Sequence, residues 1–127
     1  MGDFTTLIDK DGTNASYRFG RGAAYVYLRN GVKALEDLDV AVKLSPNNAR
    51  FLVMRAAAHS MAGEYEQAIA DSDSALKIAP GLADAYTQKS TAERRLGKTP
   101  EADADATKAK SLALSPAAQV ASSGAAP

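Results

Sequence analysis

A single histidine, His59, and no cysteine are all this chain offers as imidazole base or soft metal ligand. Without thiols there is no disulfide framework, no thiol nucleophile and no thiolate metal site. A transition-metal site needs further nitrogen or sulfur ligands, and none is present to join His59. His59 sits in an apolar stretch and is expected to be a packed core residue. The aspartates at 71, 73, 103 and 105 resemble ligands on paper. They fall on helical stretches at spacings of two, which point apart around the axis, so they are not expected to share an ion. Gly20-Arg21-Gly22 lacks the preceding strand that a phosphate-binding glycine loop requires. The sequence therefore predicts no catalytic, cofactor or metal site, and a protein that is not an enzyme.

The charged residues that do recur are arranged differently. Arg21, Arg55 and Lys89 repeat at 34-residue spacing, and so do Asp3, Asp37, Asp71 and Asp105. A column repeated in every unit serves the interface that every unit shares. The expectation is an ion-pair ladder between helices, with a charged binding stripe as the alternative.

The elements carrying these columns share their period. Gly63 ends one helix, Ala68, Ile69, Ala75, Leu76 and Ile78 recur on the apolar face of the next, and Pro80 stops it. The same pattern stands 34 residues earlier as Ala34, Leu35, Asp37, Ala41, Val42, Leu44 and Pro46, and 34 later as Ala102, Asp105, Ala109 and Leu112. Such a period marks stacked helical repeats. Helices are expected over 15–28, 32–44, 49–62, 64–79, 82–96 and from 99 to about 114. Asn14 and Asn47-Asn48 supply caps, Asn30-Gly31 a stop, and Thr99 a cap ahead of Pro100. The units are then 15–48, 49–82 and 83–116, with residues 117–127 a flexible tail of Ala, Ser, Gly and Pro type. No strand pattern is present.

At the other end, Asp3, Phe4, Leu7 and Ile8 match the second-helix columns, so residues 1–14 read as the tail of an incomplete repeat or as a native cap. Met1-Gly2 through Thr6 also fits the loose N-myristoylation pattern, and Asn14-Ala15-Ser16 a glycosylation sequon whose simpler reading is a helix cap.

Fifteen basic and fifteen acidic residues cancel, which argues against a nucleic-acid or membrane-surface binder. The longest apolar run, Ala23 to Leu28, is too short to span a bilayer, and no signal peptide is visible. Cytoplasmic residence is favoured on that ground alone.

These residues resemble the tetratricopeptide-repeat family. The 34-residue helix–turn–helix period fits, as do the small residues Gly22, Ala56 and Ser90 on first helices, and Ala34, Ala68, Ala102, Ala41, Ala75 and Ala109 on second helices. Tyr25, Pro46 and Pro80 fit as well. Departures are Arg18 and Leu52 where the family has an aromatic kept here only as Tyr86, and His59 and Glu93 in place of its tyrosine. The resemblance implies an all-α solenoid of about three repeats plus an N-terminal partial helix. It also implies a concave face, lined by first helices, that grips a peptide or partner helix. Carried across, the groove columns are Phe19, Ala23, Val26 and Tyr27 (with Ser16) from repeat one. Repeat two gives Arg50, Val53, Met54, Ala57 and Met61 (with Ser60), and repeat three Gln88, Thr91, Arg94 and Arg95 (with Asp84 and Thr87). That groove is apolar at repeats one and two and basic at repeat three, where adjacent arginines suit a carboxylate. Phe19, Val26 and Met54 are alternatively plain core. Some family members clamp acidic chaperone tails with lysines, asparagines and an arginine; here those places hold Phe19, Ala23, Met54, Asp84 and Gln88, so that clamp is absent. The runner-up role is a self-associating scaffold piece joined through the apolar N-terminal edge, a homo-oligomer. The last helix, with Asp103 and Lys110 in place of apolar residues, is expected to close the array.

Overall fold

The structure, a computed structural model, describes residues 14–114. The expectations for the N-terminal segment with Phe4, Leu7 and Ile8, and for the tail at 117–127, lie outside the described residues. Among these residues six helices follow one another: α1 (Ala15–Tyr27), α2 (Gly31–Leu44), α3 (Ala49–Met61), α4 (Tyr65–Ile78), α5 (Ala83–Arg95) and α6 (Thr99–Ala113). Among the described residues there is no strand. No helix among them is long and apolar enough to cross a membrane.

The ends are set by a few side chains. Asn14, Asn30 and Asn48 each accept a backbone N–H from three residues ahead, at 3.1, 3.2 and 3.2 Å. Each satisfies one of the donors a helix start leaves unpaired, worth about 1 kcal/mol. Asn30 thus opens α2, where the sequence suggested that Asn30-Gly31 closes α1. The chain reverses one residue earlier, at Arg29, whose φ is +62°. At the end of the array, Thr99 does not act as the expected cap. The helix has already begun there, flanked by Lys98, and no side chain caps it.

Helices pair because small residues let them approach. Ala34, Ala41, Ala56, Ala68, Ala75 and Ala102 are completely buried, and Gly22, Ser90 and Ala109 nearly so. A Cβ on Gly22 would lie 2.8 Å from Leu38 Cγ, closer than packed carbons tolerate. Ser90 uses its hydroxyl instead, donating to the Ala102 carbonyl at 2.8 Å. Phe19 and Phe51 stack with centroids 4.7 Å apart and join repeat one to repeat two. Within the row of first helices, α3 touches both α1 and α5, whereas α2 and α4 make no comparable approach to each other. The first helices therefore line the inner curve of the stack, and the second helices spread on the outside.

The charge columns form the ladder in two of three units. Arg21 donates from Nε and Nη2 to Asp37 at 2.7 Å each, and Arg55 likewise to Asp71 at 2.8 Å each. Arg55 also reaches back across the unit boundary to Asp39 at 3.3 Å. The Asp71 hydrogen bond holds the Arg55 guanidinium above its ordinary pKa. The third rung departs from expectation: Lys89 pairs with Asp73 at 2.9 Å. A guanidinium fork serves an intra-unit and an inter-unit carboxylate together, while an ammonium here keeps only the inter-unit partner.

Two outcomes test this packing. Ala68→Leu should overpack the α3–α4 contact and cost about 1–3 kcal/mol in urea denaturation. Asp71→Ala strands Arg55 and should cost about 2–3 kcal/mol, against no more than roughly 0.5 kcal/mol for the exposed Asp39→Ala.

Candidate functional site

The inner face carries a shallow trough with two ends. At the N-terminal ends of the first helices, Phe19, Arg50, Val53, Met54, Leu82 and Asp84 surround a cleft of about 180 Å³, with Tyr27 reaching over it. At the C-terminal ends, Val26, Tyr27, Ala57, Met61, Gln88 and Thr91 line a second cleft with Arg29 and Ser60. A contiguous cleft adds Tyr65 and Arg95. Tyr27 is 80% exposed and borders both clefts. Val26 is buried against Ala34, Leu38 and Ala58, and Phe19 stacks on Phe51, so both support the floor while showing an edge to the trough. Met54 and Met61 pack partly into the same cluster and are half-buried. Their unbranched, polarizable chains can re-pack around different occupants. Ala23 is half-buried and lines none of these clefts.

The structure separates the two arginines that the sequence placed together. Arg94 turns to Asp103 on α6 at 3.1 Å and lines no part of the trough. Neighbouring helix residues stand about 100° apart, so one of the pair faces inward. That one is Arg95. Its companion comes from the other end of the array: Arg29, on the α1–α2 turn, borders the same cleft. The basic groups thus come from repeats one and three, not from repeat three alone. Arg29 was missed because its column reads as a turn, with Gly63 and Gly97 at the equivalent places. The contrast within that column was the available signal.

His59 is not simply packed among apolar groups. It is half-buried, with Nδ1 3.0 Å from Glu64 Oε1 and Nε2 3.5 Å from Asp71 Oδ2. In the equivalent place of repeat three stands Glu93, buried against Asp105, with Lys89 and Glu101 nearby. Burial first, and then the hydrogen bond and charge of Asp105, push Glu93 up to about 7, opposed by Lys89. The neighbouring Asp105 carboxylate disfavours ionisation of the buried Glu93. Among the described residues no group of three or more His, Cys, Asp or Glu side chains could hold a metal ion.

No family model matches the chain, and no curated protein sequence matches it either. Solved structures do. MamA superposes with a TM-score of 0.79 at 22% identity, over 86% of this chain and 64% of that one. The Arabidopsis OM64 TPR domain gives 0.75 at 29% identity, over 87% of this chain and 92% of that one. The second TPR of Spaghetti (RPAP3), bound to the HSP90 peptide SRMEEVD, gives 0.72 at 26%, over 77% and 91%. The chain spans about 64% of the MamA chain's length.

The Glu93 site makes a pH prediction. The folded chain keeps a proton that an unfolded glutamate releases near 4.5. Its contribution to stability is full below that value and is lost as pH rises through about 7. Glu93→Gln should leave urea stability near wild type at pH 5 and exceed it at pH 8. Parallel pH profiles would contradict the raised pKa of Glu93. Six paired helices among the described residues, a 34-residue period and matching small-residue columns give the chain the tetratricopeptide-repeat fold, in about three units.

Proposed function

We propose that this array is a non-catalytic protein-interaction module whose inner face takes an extended peptide or a partner helix. The observation that carries the reading is the trough itself. It combines an open aromatic ring at Tyr27, adaptable methionines at 54 and 61, and uncovered polar groups along one row of helices. Apolar anchors with a few placed polar groups are how such faces bind. That a structural neighbour holds a peptide supports the reading. The ligand differs in kind, because Phe19, Ala23, Met54, Asp84 and Gln88 stand where the resemblance puts a chaperone-tail clamp. The expected peptide carries an apolar anchor and an acidic group. The second reading, assembly through the N-terminal edge, draws on Leu28 and Val32, which are 63% and 66% exposed on the first unit.

Selection from a random peptide display library tests the first reading. Wild type should enrich peptides with an apolar anchor and an acidic residue. Val53→Glu should lose them by more than about tenfold in affinity, and Glu36→Ala on the outer helix row should not. Failure to enrich, or equal binding by Val53→Glu, would count against the trough. Light scattering that shows growth in size with concentration would favour assembly instead.

A further inference from the structure

The α1–α2 turn holds an ordinary residue where a glycine belongs. Arg29 adopts φ +62°, while the equivalent turns use Gly63 at +79° and Gly97 at +81°. At both glycines a Cβ would meet nothing, so the backbone angle alone selects glycine there. A side chain with a Cβ in that region carries strain. Strain kept at one of three equivalent turns points to what the side chain does.

What it does is border a cleft of about 370 Å³ with Ser60, Met61, Tyr65, Thr91 and Arg95. Arg29 and Arg95 come from the first and third units, with Ser60 of the second between them. No acid lines the cleft. Among the described residues neither arginine has an ion-pair partner, and the Ser60 hydroxyl is buried without a hydrogen bond. Two exposed guanidinium groups around one cleft, with no acid between them, make it electropositive and suited to an anion.

We propose that this cleft binds the phosphate of a phosphoserine or phosphothreonine on the partner peptide. The proposal rests on the trough being a peptide site and names its acidic group. A carboxylate carries one charge and two oxygens, which a single guanidinium fork satisfies. A phosphomonoester is close to doubly charged near pH 7 and offers three terminal oxygens. It can accept from Arg29 on one side and Arg95 on the other. Arg94 takes no part, being held by Asp103.

The test uses acetyl-Gly-phosphoserine-Gly amide and its serine and glutamate counterparts, followed by backbone amide shifts on the full chain. These probes are too short to need the rest of the trough. A null result with peptides still captured by display would therefore end the phosphate assignment and leave the peptide site standing. The phosphorylated probe should shift Arg29, Ser60, Thr91 and Arg95. The serine probe should shift none of them, and the glutamate probe should bind at least about tenfold more weakly. Arg29→Gly should raise Tm by roughly 4 °C and weaken the phosphorylated probe about tenfold or more. Arg95→Gln should weaken it similarly at unchanged Tm. A silent titration, equal response to glutamate, unchanged affinity in Arg29→Gly, or a lower Tm in that variant would each overturn the proposal.

Discussion

Everything in this molecule follows from how near two helix backbones come. Ala34, Ala41, Ala56, Ala68, Ala75 and Ala102 show no surface at all, and Gly22 leaves no room for one more carbon. Close approach is stabilising only if it is repeated, because one helix pair leaves its outer faces wet. The 34-residue interval therefore does two things together. It lets each pair close, and it presents the same face to the next pair. The inner row is then continuous from α1 to α5, which is what puts Arg29 and Arg95 on one cleft although 66 positions separate them in sequence.

Inside this packing the polar columns divide the work. Arg21 and Arg55 satisfy both oxygens of buried aspartates, and a buried carboxylate tolerates nothing less. In the last unit Lys89 stands in the arginine column and pairs with Asp73, while the buried Glu93 beside Asp105 has its pKa raised to about 7. The guanidinium forks of the first two units thus have no counterpart in the third. His59 stands in the same column of the middle unit, also between carboxylates. The column thus runs Tyr25, His59, Glu93.

The fold was legible because it rests on small residues at fixed spacing, and nothing competes with that signal locally. Helix existence and pairing follow directly from it. Asn14 and Asn48 were readable as caps since their side chains act within three residues. What escaped was whatever depends on direction. Adjacent arginines look equivalent in a sequence, yet Arg94 and Arg95 leave the helix on different sides and meet different neighbours. Likewise Lys89 occupies the expected column but chooses between two carboxylates by reach and forking, which spacing does not encode. Arg29 shows the converse. Its position was plain, but its significance lies in being unlike Gly63 and Gly97, a comparison across units and not along the chain.

That comparison bears on how repeat arrays acquire function. Residues common to all units are bound to serve stacking, since stacking is all the units have in common. Residues that break a column are released from that duty. Most such breaks are neutral or are compensated next door, as Lys89 pairs with Asp73. A break that raises local strain, sits beside an uncovered cleft and leaves its charge unmet is not compensated within the described chain. Arg29 is of that kind. Its side chain stands open to water, and an anionic group on a bound partner is the occupant proposed for it.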